Sequence, residues 1–138
     1  MLRAALLLPV TEICLRTFGF LRCQKLLEGL ARFLTGKKSQ IKNDPEKAQR
    51  IAELVDIANR HYSFYVVDCV TRSLVIQYFL IRNRLSSDVC VGVRTITGQF
   101  ESHVWVEHAG VALREPEAVR DIYTGIDYRI GTGSTNNR

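Results

Sequence analysis

Apolar residues recur with a helical period through the first half of the chain and alternate with polar residues in the second, so the sequence divides into a helical front and a strand-rich back. From Leu15 the apolar positions Phe18, Leu21, Leu26, Leu27, Leu30, Phe33 and Leu34 predict two amphipathic helices within residues 1–35, broken near Phe18-Gly19-Phe20 where glycine turns the chain. A polar linker, 36–44, follows. Asp44 then caps a third helix that has Pro45 at its first position and runs to Arg60. Its buried stripe is Ala48, Ile51, Ala52, Val55 and Ala58, while Glu46, Lys47, Arg50 and Glu53 face water. The aromatic and β-branched stretch from His61 to Val67 reads as a short strand or extended loop. Asp68 is the N-cap of a fourth helix reaching Arg84, whose broad apolar face (Leu74, Val75, Tyr78, Phe79, Leu80) marks it as the central core helix. Two strands follow, in which Val89, Val91 and Val93, then Ser102, Val104 and Val106, alternate with their neighbours. His108-Ala109-Gly110 has the length and terminal glycine of a three-residue hairpin loop, sending the chain back as a third strand, Val111 to Glu115. One domain is expected over residues 1–125, with its main core at 45–125 and a disordered tail at 126–138.

Composition narrows the partners. With 138 residues, 46% of them hydrophobic, the chain buries one core of its own. Its net charge of +5, from 19 Lys+Arg against 14 Asp+Glu, favours an acidic partner. Nucleic acid is disfavoured, because the sequence carries no helix-turn-helix spacing, no paired zinc ligands and no aromatic-basic strand motif. The four cysteines, Cys14, Cys23, Cys69 and Cys90, form no C-x-x-C pair and read as thiols, with no metal site and no cofactor. The first ten residues imitate a signal peptide, but Glu12, Arg16 and Arg22 interrupt the apolar run. A core or partner-docking helix is preferred there over an interfacial membrane helix, and the protein reads as cytoplasmic, with peripheral membrane contact through these helices as the second reading.

Cys69 differs from the other thiols by its place at the first turn of a helix, where unpaired N–H groups and the positive dipole end favour the nucleophilic thiolate. A thiolate that attacks a peptide needs a proton acceptor and donor within reach, and His103, mid-strand on the face shared with Trp105 and Glu107, is the best-placed residue. His61 and His108 read as a pre-helix loop residue and an exposed turn residue. Arg72 and Gln77, on the Cys69 helix, read as solvated or structural, although Arg72 can meet a nearby acid.

The imidazole also needs an acceptor to fix its tautomer. With a three-residue loop, Glu107 pairs with Val111, Trp105 with Leu113 and His103 with Glu115, which nominates Glu115. A two-residue turn at Ala109-Gly110 instead places Val104 opposite Glu115, sending the carboxylate to the other face unless a bulge corrects it. A lone Cys and a lone His in a small domain are more often structural than catalytic, so spacing alone leaves both readings open.

The string Cys69-Val70-Thr71-Arg72-Ser73-Leu74, then Gly92-Val93-Arg94, then Phe100-Glu101-Ser102-His103-Val104-Trp105-Val106-Glu107, resembles the leader peptidases of lasso-peptide biosynthesis, with their C-x-x-R-(S/A)-L helix start, G-V-R strand and (A/S)-H-(A/V)-W-V-E strand. The resemblance covers residues 45 to 115 and implies an α+β, transglutaminase-like (papain-like) cysteine protease fold. It implies that Cys69 attacks and His103 shuttles the proton, cutting a ribosomal precursor peptide between leader and core. The family has Asp where this chain has Glu115, and a papain-like glutamine upstream of Cys69 is missing, leaving backbone N–H groups at the helix start for the oxyanion. By resemblance the chain corresponds to the stand-alone protease half, acting with a separate leader-recognition protein and an ATP-dependent lasso cyclase, the macrolactam synthetase. A non-hydrolytic acyl transferase or transglutaminase uses the same Cys-His chemistry, and a catalytically silent scaffold for the synthetase is the non-enzyme alternative.

Overall fold

Residues 2–36, 41–62, 69–116 and 119–131 are described by a computed structural model. Its elements are α1 (Leu2–Phe18), α2 (Phe20–Thr35), α3 (Pro45–Tyr62), α4 (Cys69–Arg82), β1 (Asp88–Ile96), β2 (Gln99–His108), β3 (Val111–Ala112), α5 (Val119–Ile122) and β4 (Thr124–Gly131). The result is an α+β architecture in which one antiparallel sheet, ordered β3-β2-β1-β4, packs against a helical layer.

Helix α4 is the centre of that layer, touching α1, α2, α3, β1 and β2. Its residues Leu74, Val75, Ile76, Leu80 and Ile81 are all buried, so burial runs around most of its circumference rather than along one stripe. The expected stripe of α3 lies against it, with Ala48, Ala52, Val55 and Ala58 buried and Ile51 at the margin. Small residues there let the helices approach closely. Asp44 caps α3 by accepting the Lys47 amide at 3.1 Å. The expected cap Asp68 and the stretch from Ser63 lie outside the described residues, whereas His61 sits in the last turn of α3 rather than in a loop.

The first helix is a core helix: Ala4 and Leu8 join the main cluster. The second behaves differently from what its apolar period suggests. Gly19, at φ 81°, separates the two helices, and α2 docks through Cys23, Gln24 and Ala31, with Gln24 Nε2 donating to the buried Gln77 Oε1 at 3.2 Å. Its leucines Leu26, Leu30 and Leu34 remain exposed, and Phe33 is 83% exposed. Periodicity groups residues on a face; it does not say which face meets a neighbour.

Residues 97–98 turn β1 into β2 with both residues at positive φ (Thr97 50°, Gly98 82°), the mirror-image turn whose twist suits a two-residue hairpin. The next hairpin repeats the device. Ala109 and Gly110 have φ 50° and 82°, His108 pairs with Val111 and Glu107 with Ala112, so the three-residue loop is replaced by the two-residue register. The third strand is correspondingly short. Residues 126–131, read from the sequence as the start of a disordered tail, form most of β4, which pairs with the otherwise open edge of β1. The expected boundary at residue 125 therefore runs through a strand, and residues 132–138 lie outside the described residues.

His108 also departs from its expected place in an exposed turn. It is 1% exposed, with Nε2 accepting the Asp44 amide at 3.1 Å and Nδ1 lying 2.7 Å from the Ser86 carbonyl. An amide can only donate and a carbonyl can only accept, so the ring carries its proton on Nδ1. The side chain thereby ties the start of α3 to the α4–β1 connection and the end of β2. Replacing His108 with Ala leaves those partners facing a cavity, and urea unfolding is expected to show a loss of about 2–4 kcal/mol.

Candidate active site

The strand β2 presents alternate residues to two different surroundings. Val104 and Val106 enter the main core under α4, while Trp105 faces a smaller cluster with Cys90, Val119, Ala112 and Tyr123. On that second side His103 stacks near Trp105 (5.9 Å between centroids, 23° between planes) and near Tyr123 (5.1 Å). Trp105 Nε1 donates to the buried Glu107 at 3.0 Å. Gly92, paired with His103 across β1 and β2, leaves room for these rings; a Cβ there would lie 2.6 Å from Tyr123 Cβ and 2.9 Å from Trp105 Cζ3. Outside the rings, Arg94 lies 4.7 Å over Tyr123 and pairs with Glu101 at 2.5 Å, which holds the Glu101 carboxyl below its ordinary range.

His103 and Glu115 are in direct contact, Nε2 to Oε2, at 3.1 Å. They meet despite the two-residue register, which on a regular ladder sends Glu115 to the other face. The ladder stops instead. Leu113 still donates to the Val106 carbonyl at 2.9 Å, but Arg114 then adopts φ 56°, and this left-handed bend redirects Glu115 toward the imidazole. Because an ionised carboxylate only accepts, Nε2 carries a proton in this contact, and in the neutral ring the lone pair is then on Nδ1. As neutral rings His103 and His108 are therefore opposite tautomers, and long-range ¹H–¹⁵N correlation spectra recorded where both rings are neutral are expected to display one Nε2–H and one Nδ1–H imidazole.

Cys69 is the first residue of α4, half-buried against the main core. Two contacts tie its turn to the His103 region. Ser73 Oγ donates to the carbonyl of Val104 at 3.1 Å, and Arg72 Nη1 donates to Glu115 Oε1 at 3.1 Å. One turn separates Cys69 from Arg72, so they share a helix face.

Arg72 is not solvated. Its Nε and Nη2 reach the two oxygens of Asp56 at 2.5 and 3.2 Å, and only 15% of its side chain is exposed. Burial opposes its charge, but the hydrogen bonds and attraction from Asp56, with Glu115 adding to them, outweigh this and raise its pKa. Asp56 also accepts from Arg114 at 3.3 Å. Sequence reasoning missed Asp56 and underrated Arg72; the available signal was Arg72's place in the C-x-x-R string. Gln77 is structural, as one of its two readings held, through its bond to Gln24.

The other thiols lie elsewhere. Cys90 is buried in β1, and Cys23 is buried between α1 and α2, its Sγ 3.8 Å from the Thr11 carbonyl. Burial, reinforced by the neighbouring Cys14, pushes the Cys23 thiol up from 9.0 to about 12. Between those values the unfolded chain releases this proton while the folded chain keeps it, so this group's contribution to stability falls as pH rises through that window. Peptide mapping after iodoacetamide treatment at pH 8 is expected to find Cys23 unmodified until the protein is denatured.

Among the described residues no helix is long and apolar enough to cross a membrane, and no three His, Cys, Asp or Glu side chains are grouped to hold a metal. No curated protein and no solved structure matches the sequence. A family profile does, over residues 3–126, and with nearly the whole chain matched the protein belongs to the transglutaminase-like superfamily.

Proposed function

We propose that the protein is a cytoplasmic cysteine endopeptidase that removes the leader from a ribosomally made lasso-peptide precursor, with Cys69 as nucleophile, His103 as general base and acid, and Glu115 as the residue that orients His103. The observation that carries the reading is the His103–Glu115 pair, joined through Arg72 to the helix turn that begins with Cys69. Such a constellation has a nucleophile at a helix start, an imidazole with a fixed tautomer, and an acid that accepts from its far nitrogen. The superfamily supplies the coarser setting of protease or acyltransfer chemistry; the lasso-peptide substrate comes from the sequence resemblance.

In the proposed reaction Nδ1 of His103 takes the proton from Cys69 Sγ, and the thiolate adds to the carbonyl carbon of the leader–core bond. Backbone N–H groups at the start of α4 receive the oxyanion. The imidazolium then protonates the departing core amine as the C–N bond breaks, leaving the leader as a thioester on Cys69. Water, deprotonated by His103, hydrolyses the thioester and returns the thiol. The freed amino terminus is what a lasso cyclase needs for ring closure. A separate leader-recognition protein and the ATP-dependent cyclase are the partners this role requires.

The test is incubation of the purified protein with precursor and leader-binding partner, followed by mass spectrometry. Core and leader products that together contain one added water support hydrolysis. Capture of the leader acyl group by an added amine in preference to water replaces the protease with an acyl transferase, and an uncut precursor with a partner complex still assembled replaces it with a scaffold.

A further inference from the structure

The Glu115 carboxylate has each oxygen committed to a different partner: Oε2 to His103 and Oε1 to Arg72, both at 3.1 Å. Arg72 is itself aimed by a bidentate pair with Asp56 on α3, and Arg114, at the left-handed bend, closes on the same Asp56. Four side chains from α3, α4, β2 and the bend after β3 thus form one chain of hydrogen bonds, Asp56–Arg72–Glu115–His103. Glutamate has one more rotatable bond than aspartate, and Glu115 stands on an irregular segment rather than on a strand, so neither its side chain nor its backbone ladder fixes it. A guanidinium offers donors in a planar fork, which can hold one carboxylate with two nitrogens and still spend a third on another.

We propose that Arg72, aimed by Asp56, is a positioning residue: it holds Glu115 in the one orientation that keeps His103 as the Nε2–H tautomer, with Nδ1 free to serve Cys69. The inference rests on the catalytic reading of Cys69 and His103 and explains how a glutamate serves where the resembled peptidases have aspartate. It makes the Arg72 effect conditional on Glu115. A merely structural ion pair would weaken the fold whichever residue stands at 115.

The experiment compares wild type, Arg72→Met, Glu115→Gln and the double variant by two readouts: the pH profile of Cys69 alkylation by iodoacetamide, mapped by peptide mass spectrometry, and the urea unfolding midpoint. Wild-type Cys69 is expected to react well below the pH at which an ordinary thiol does. Each single variant is expected to lower that low-pH reactivity about 10- to 100-fold, the size usual for groups that orient a reacting or metal-binding side chain. The double variant is expected to be no worse than Glu115→Gln alone, since both act through one contact. Arg72→Lys, which keeps the charge and loses the fork, is the milder variant should Met loosen the fold, and a smaller loss in the same direction is expected.

A wild-type pH profile in Arg72→Met and Arg72→Lys, beside an altered one in Glu115→Gln, overturns the positioning role even if the urea midpoint falls. So do losses that simply add in the double variant. An activated Cys69 that ignores Glu115→Gln also removes this inference while leaving the protease reading in place, whereas an ordinary-thiol profile in wild type removes both.

Discussion

Replacement of Cys69 by alanine is expected to abolish precursor cleavage, lowering the rate on the order of 10⁴-fold or more, with leader-partner binding and the urea midpoint close to wild type. The size follows from the chemistry. Without Sγ no thioester can form, and the remaining binding contacts and oxyanion donors give only the residual acceleration that positioned water receives. His103→Ala should fall to a similar level and the double variant scarcely lower, since the proposed nucleophile and base would act as one unit. Single-turnover cleavage followed by mass spectrometry makes the measurement; equal cutting by wild type and Cys69→Ala removes the catalytic reading and leaves the scaffold.

A second large effect outside the buried aliphatic core, on stability and cleavage together, is expected at Gly92. Its added Cβ would stand 2.6 Å from Tyr123 Cβ, 2.9 Å from Trp105 Cζ3 and 3.0 Å from Trp105 Cη2. The Tyr123 atom is the decisive one, since a Cβ cannot swing away by changing rotamer and the backbone carrying it must shift. Gly92→Ala is therefore expected to cost about 1–3 kcal/mol, and Gly92→Val more, as a drop in melting temperature. The same shift withdraws Tyr123 from the His103 ring, so cleavage should slow as well as the fold weaken. Gly29 is the contrast. It lies within α2, where an added Cβ would meet nothing within 4 Å, and Gly29→Ala is expected to stabilise by up to about 1 kcal/mol. Melting curves showing the two substitutions equal would remove the steric account of Gly92.

Several elements were legible because their cause is local. The cap at Asp44 with Pro45 behind it, the small-residue stripe of α3 and the start of α4 at Cys69 each depend on neighbours within a turn, and each stands where its pattern puts it. The glycine break at Gly19 is local too. The hairpin after β2 shows the limit. Gly110 announced a turn, but a two- or a three-residue loop fits the same letters, and only pairing with Glu107 and His108 selects between them. The strand β4 went unseen because its partner, the outer edge of β1, is more than thirty residues earlier. The exposed Leu26, Leu30 and Phe33 on α2 show the same gap between a helix's apolar pattern and the face by which it docks.

The candidate site divides along the same line. The sequence by itself determined that a cysteine opens a core helix and that His103 lies on a strand behind it, and it nominated Glu115 only through a three-residue loop that the structure replaces. These follow from period, capping and turn residues, all short-range causes. Only the tertiary structure decided that Arg114 bends Glu115 back to His103, that Arg72 and Asp56 clamp the carboxylate, and that His108 is a buried strut rather than a turn residue. Those outcomes join residues from four elements far apart in the chain. A buried charge or imidazole is tolerated only where partners from other elements arrive together, and single-sequence periodicity carries no record of which elements those are.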